Sequence, residues 1–139
     1  MRRMNNRKSD LPILSLDFDG VIHDYRHGWK DGSIYGHATP GFFPWAEQAA
    51  KFFTLVIHSS RSKTEAGRRA IFDWLTAEAA LSGNPGLAGL FLIQAEKPPA
   101  FITIDDRCAR FDGDWNDPDL NPLELRAFKP WMTTESAKV

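Results

Sequence analysis

The chain has a single cysteine, no apolar stretch of membrane length, no surplus of either charge and no internal repeat or low-complexity tract. One Cys108 excludes an intramolecular disulfide and suits a reducing compartment. No run approaches the roughly 18 residues of a membrane span, and no apolar h-region follows the N-terminal arginines, so a cytoplasmic address without a membrane partner is expected. With 17 Lys and Arg against 18 Asp and Glu, the net charge of −1 gives no overall electrostatic reason to expect nucleic acid as a partner. Arg2, Arg3, Arg7 and Lys8 form a local exception. They are read as a flexible basic tail over residues 1–10, with a phosphate-binding arm as the alternative.

What is present is the composition of an ordinary globular protein: 42% hydrophobic, 25% charged and 12% aromatic residues, with five Trp. A length of 139 residues fits one domain, which at this size buries about two-thirds of its unfolded surface. That domain is placed at residues 11–139.

Apolar spacing divides it into elements. "PILSLDF" (12–18) reads as a short buried strand opened by Pro12, with Asp17 and Asp19 at its C-terminal end. Residues 20–41 lose all periodicity and are read as a long flap or hairpin-like excursion, a length of loop that is usually functional. "FFPWAEQAAKFF" (42–53) has helical spacing and tolerates Pro44 in its first turn. "TLVIHSSR" (54–61) is a second strand, and "SKTEAGRRAIFDWLTAEAA" (62–80) an amphipathic helix with a capping box from Ser62 to Glu65. After the turn formers "SGNPG", two runs of strand length follow, "LFLIQ" (90–94) and "AFITI" (100–104), the second leading into Asp105 and Asp106. The order points to an α/β fold, a Rossmann-like parallel sheet with helices on both faces.

In such sheets ligands bind beyond the carboxyl ends of the strands. Asp17 and Asp19 end the first strand, Ser59 and Ser60 the second, and Asp105 and Asp106 the last, so they are expected to converge. Carboxylates gathered at one point repel one another, and the simplest compensation is a hard divalent cation with oxygen ligands, Mg²⁺ above all. A cation held by few protein ligands invites phosphate. Asp17 as nucleophile, Asp19 as acid or base, a Ser hydroxyl and a Lys or Arg on the phosphoryl oxygens then outline a phosphoryl-transfer site.

These residues resemble the haloacid dehalogenase-like (HAD) phosphohydrolases. "DFDGV" (17–21) matches the first motif of that superfamily, Asp-x-Asp-Gly-[Val/Thr]; "LVIHS" (55–59) looks like the second, Lys97 stands for the third, and "ITIDD" (102–106) looks like the acidic fourth. The resemblance covers residues 12 to 112. It implies that Asp17 forms an aspartyl-phosphate and ligates Mg²⁺, and that Asp19 protonates the leaving oxygen, then deprotonates water, while its backbone carbonyl binds the metal. It further implies that Ser59 bonds the phosphoryl group, that Asp106 is a metal ligand and that Asp105 assists or orients water. An acid at position 19 is the mark of the family's phosphatases rather than its dehalogenases.

Lys97 departs from the usual pattern, since only seven residues separate it from Asp105 where most relatives place a helix. That short spacing and "DDR" look like the deoxyribonucleotidase branch, and Arg61, Lys63 and Arg107 are the other cations within reach of the motifs. The intervals between motifs leave no room for a separate cap domain, so a minimal member with an open cleft is expected. The expected partner is a phosphorylated substrate: a small molecule, a nucleotide or a macromolecular end. Two alternatives remain open from the residues, a nucleic-acid end-processing phosphatase or nucleotidase, and a metal- or phosphate-binding module without turnover.

Plainer readings attach to the other polar residues. Ser60 and Ser62 are read as helix caps. His23, His27 and His37 are read as surface histidines, His58 as a packed or hydrogen-bonded core residue, and Cys108 as a small buried hydrophobe. Tyr25, Trp29 and Tyr35 either stack on a base or pack the flap down. "DGDWNDPD" (112–119) mimics the start of a calcium loop but has Asp117 where Gly and Leu123 where Glu is required, so it is read as a turn-rich exit to a short helix in "NPLELRAF".

Overall fold

A computed structural model describes residues 10–132; the basic residues of the tail, Arg2, Arg3, Arg7 and Lys8, lie outside them. Four strands, β1 (Ile13–Leu16), β2 (Thr54–His58), β3 (Phe91–Gln94) and β4 (Ile102–Ile104), form one sheet in the order β3-β2-β1-β4 with every pairing parallel. Among the described residues three α-helices accompany it, α1 (Phe42–Ala49), α2 (Glu65–Leu81) and α3 (Pro122–Arg126). The fold is thus α/β with a parallel sheet. Among the described residues no helix is long and apolar enough to cross a membrane.

The core lies between one face of the sheet and two helices. Leu14, Leu16, Leu55, Ile57 and Phe91 are buried against Phe42, Phe43, Ala46 and Ala49 of α1 and against Ile71, Leu75 and Ala79 of α2. Both helices present an i, i+4 apolar stripe, so each can bury one side only. Pro44 sits in the first turn of α1, where its missing N–H would have no intrahelical partner in any case. Thr64 starts α2 by accepting the Gly67 N–H (3.0 Å), which replaces the expected Ser62 to Glu65 box.

The expectation of helices on both faces is corrected. Both packed helices share that one core, and α3 buries none of its residues. The opposite face carries Ser15 and Val56, which are buried yet outside the core cluster. The run 95–101 has to pass from β3 to β4 across β2 and β1, and its Pro98 is buried. An extended crossing of so few residues leaves no length for a helix. β4 consequently has no helix over it: Ile102 remains 51% exposed although it pairs in register with buried Leu14.

Residues 20–41 form neither a regular hairpin nor a separate domain. They are pinned by two isolated bridges, Asp19 to His23 and His23 to Ala38, and by the Trp74 indole N–H donating to the Gly36 carbonyl (2.9 Å).

Candidate functional site

The strand order reverses between β1 and β4, and at such a point the two connections leave in opposite directions and open a crevice at the carboxyl ends. Leu16 pairs with Ile104, and the Asp17 N–H extends the ladder by donating to the Ile104 carbonyl (3.0 Å). That register sets Asp17 beside Asp105 and Asp106. One ligating atom from each of these three acids lies within 4.8 Å of the others.

Among the described residues none of the three makes an ion pair, and the nearby Arg107 charge only partly offsets the rise at Asp106. Asp17 is pushed up from 3.8 to about 7, first by burial and then by the charges of Asp105, Asp106 and Asp19, against a hydrogen bond from the Phe18 backbone. Asp106 is raised too, again chiefly by burial. Its Oδ1 is buried without a hydrogen-bond partner, a position that is costly unless a cation or proton meets it. Gly20 makes room for this acid: its φ of +85° lies in the left-handed region, and a Cβ there would collide with the Asp106 carboxylate. Hard, oxygen-only and convergent, this donor set suits a Mg²⁺-type ion. The Asp19 carbonyl, which the resemblance implies as a further metal ligand, receives no hydrogen bond among the described residues.

Asp19 itself lives in different surroundings. Its Oδ2 accepts from Arg61 Nε (2.8 Å), and its Oδ1 accepts from His23 Nδ1 (2.8 Å). The Gly36 N–H donates to His23 Nε2 (3.0 Å), which fixes the ring proton on Nδ1. His23 is 0% exposed, stacked on Phe18 and edge-on to Trp74 and Tyr35, so the surface reading of this histidine is corrected. His27 and His37 are exposed as expected. Arg61 is 8% exposed and also donates to the Gly32 carbonyl, Nη1 to O at 2.6 Å. Its described hydrogen bonds tie Asp19 to the flap, with a third and longer one running to the Ser33 carbonyl at 3.5 Å.

The hydroxyls divide otherwise than expected. Ser59, not Ser60, caps the short 3₁₀ turn Ser60–Lys63, accepting from the Arg61 N–H (3.2 Å) while Ser62 completes a reciprocal box. Ser62 is wholly buried and donates to the Gln94 carbonyl (2.6 Å). Ser59 stands at the end of β2 and its hydroxyl proton points to no described acceptor, but no hydrogen bond joins it to the three acids. Gly67 lets α2 press against the Arg61 carbonyl, where a Cβ would clash, and so fixes the turn that carries Arg61.

Lys97 is exposed and makes no ion pair or hydrogen bond among the described residues. The Cys108 thiol is raised by partial desolvation and by the charges of Asp105, Asp17 and Asp106, and lowered by that of Lys97. Cys108 is exposed, not a buried hydrophobe. The Arg107 charge lowers both Asp106 and the Tyr25 phenol, and its side chain is likewise without a described partner. Tyr25 and Tyr35 stack on each other and meet His23 tilted and edge-on, so both pack within the flap; Trp29 is 63% exposed, with Arg61 over its ring at 5.3 Å. Trp131 reaches back to the motif: its indole N–H donates to the Gly20 carbonyl (2.7 Å).

Sequence reasoning missed His23 and Arg61 as partners of Asp19. For His23 the available signal was its place four residues after Asp19 and directly after an apolar Val-Ile pair. Arg61 carried no signal, because its partner is 42 positions away. No family model, curated protein or solved structure matches this chain.

Proposed function

We propose that the protein is a Mg²⁺-dependent phosphomonoester hydrolase of the haloacid dehalogenase-like type, working through an aspartyl-phosphate at Asp17. The observation that carries this reading is the group Asp17, Asp105 and Asp106 at the point where the strand order reverses, with Asp106 Oδ1 buried and unpartnered. Those carboxylates and the Asp19 carbonyl would hold the ion. When bound, it offsets their repulsion and draws charge from the phosphoryl oxygens.

The steps fall to the chain's own side chains. An Asp17 carboxylate oxygen attacks phosphorus, the bond from phosphorus to the leaving oxygen breaks, and that oxygen takes a proton from Asp19. Asp19 then takes a proton from water, whose oxygen attacks the same phosphorus; the bond to Asp17 breaks and inorganic phosphate leaves. Each Asp19 oxygen keeps a second lone pair beside its bond to Arg61 or His23, enough to carry that proton. Lys97 and Arg107, without described partners, are the cations available to the phosphoryl oxygens.

The test is phosphate release from nucleotides, sugar phosphates and 3′- or 5′-phosphorylated oligonucleotides, with and without Mg²⁺, for the parent and Asp17→Asn. Release that needs the metal and vanishes in the variant is expected. A folded, Mg²⁺-binding parent that releases nothing from the panel overturns the hydrolase reading in favour of a binding role.

A further inference from the structure

Three backbone groups of the flap converge on two side chains, and those two side chains converge on one carboxylate. The carbonyls of Gly32 (2.6 Å) and Ser33 (3.5 Å) accept from the Arg61 guanidinium, and the Gly36 N–H donates to His23. Arg61 and His23 then occupy one oxygen each of Asp19 at 2.8 Å. Both intermediaries are held from behind. Arg61 lies 6.0 Å from the Phe18 ring centroid and 5.3 Å from that of Trp29, while His23 is enclosed by Phe18, Trp74 and Tyr35. A planar fork and a ring with its tautomer fixed have little freedom to reorient.

We propose that Arg61 and His23 are positioning residues that transmit the placement of the flap to Asp19, so that the flap holds the acid–base carboxylate on the path of the leaving oxygen. This rests on the hydrolase reading for its catalytic consequence, but the mechanical link between flap and carboxylate stands on the hydrogen bonds alone. The described hydrogen bonds of Arg61 go to Asp19, Gly32 and Ser33, and both ring nitrogens of His23 are engaged. Their loss therefore affects the chemical step rather than substrate capture.

Two measurements test it. In steady-state phosphate release, Arg61→Ala is expected to lower kcat by about 100-fold, the effect of misplacing a reacting group by about 1 Å, with KM changed less than about threefold. Added guanidinium should restore part of the loss. Arg61→Lys, which keeps the charge but not the fork, should fall between the two, and Arg26→Ala, in an exposed pair with Asp24 on the same flap, should match the parent. A rise in KM with kcat preserved would make Arg61 a substrate-binding residue and overturn the proposal.

The second measurement is amide hydrogen exchange across residues 32–37 of the metal-free protein, which needs no turnover. Asp19→Asn and Arg61→Ala should each speed exchange of the Gly36 amide at least about tenfold while the strands keep their protection. Unchanged exchange in both variants shows that flap and carboxylate are not linked and overturns the proposal. A parent without phosphatase activity overturns the hydrolase reading and the catalytic consequence, whereas faster exchange in both variants of that same protein still establishes the link.

Discussion

Asp17 and Asp19 stand two residues apart on one segment, yet the β4 side and the flap side of the cleft give them opposite surroundings. On the flap side the carboxylate is neutralised by Arg61 and bonded by His23. On the β4 side three acids meet with no ion pair to any of them among the described residues, and one oxygen is buried without a partner. The first setting is complete as the chain folds, and the second is completed only by a proton or a cation. Sites of that second kind are held at the expense of stability, because each acid would be more comfortable in water.

The contrast breaks most sharply if the nucleophile is removed. Asp17→Asn is expected to bring phosphate release to background, since no other carboxylate occupies the position fixed by the hydrogen bond to Ile104. A residual rate near that of the parent would move the nucleophile elsewhere.

Metal affinity should follow the β4 side and ignore the flap side. Asp106→Asn is expected to weaken Mg²⁺ binding, read by calorimetry, at least about 100-fold, the upper range for loss of even an outer-shell partner. Asp19→Asn should leave it within about threefold, because the assigned metal contact of Asp19 is its backbone carbonyl.

The pH dependence carries the same distinction into stability. Asp17 goes from 3.8 in the unfolded chain to about 7 in the fold, so between those values the folded state binds the extra proton. The stability linked to this group is then present below about 4 and lost as pH rises through about 7. Thermal unfolding of metal-free parent and Asp17→Asn should therefore diverge over that window, the variant becoming the more stable, and Mg²⁺ should raise Tm of the parent near pH 7.5 far more than that of the variant. A gap that stays constant with pH would show that Asp17 is not held uncompensated.

Smaller effects belong to the backbone that frames the cluster. Gly20→Ala forces a left-handed φ on a residue with a Cβ and displaces Asp106, and a loss of about 1–3 kcal/mol is expected in chemical denaturation. Trp131→Phe removes the bond to the Gly20 carbonyl and leaves a smaller ring at a largely exposed position, so about 0.5–1.5 kcal/mol is expected.

Much of the scaffold was legible in the sequence, for reasons that are local. The strands of 13–16, 54–58, 91–94 and 102–104 each fall inside an apolar run flanked by turn formers, and the helix of 65–81 inside an amphipathic one. Their ends were less legible, as at Thr64, where capping depends on which hydroxyl reaches Gly67. The helix expected on the second face was misread because periodicity reports that a helix has one apolar stripe, not which side of the sheet receives it.

By itself the sequence determined the alternation of elements, the parallel sheet that follows from it, and the placing of Asp17, Asp105 and Asp106 at strand ends. Each of these rests on residues adjacent in the chain. Only the tertiary structure decided that Asp17 and the Asp105–Asp106 pair sit together across a single pairing of β1 with β4, and that Asp19 is instead tied to an arginine 42 positions away. Carboxylates carry the same charge wherever they stand in the chain. What distinguishes a neutralised one from an exposed cluster is the set of groups that folding brings within a few ångströms, and that set is chosen by strand register and by the course of the flap.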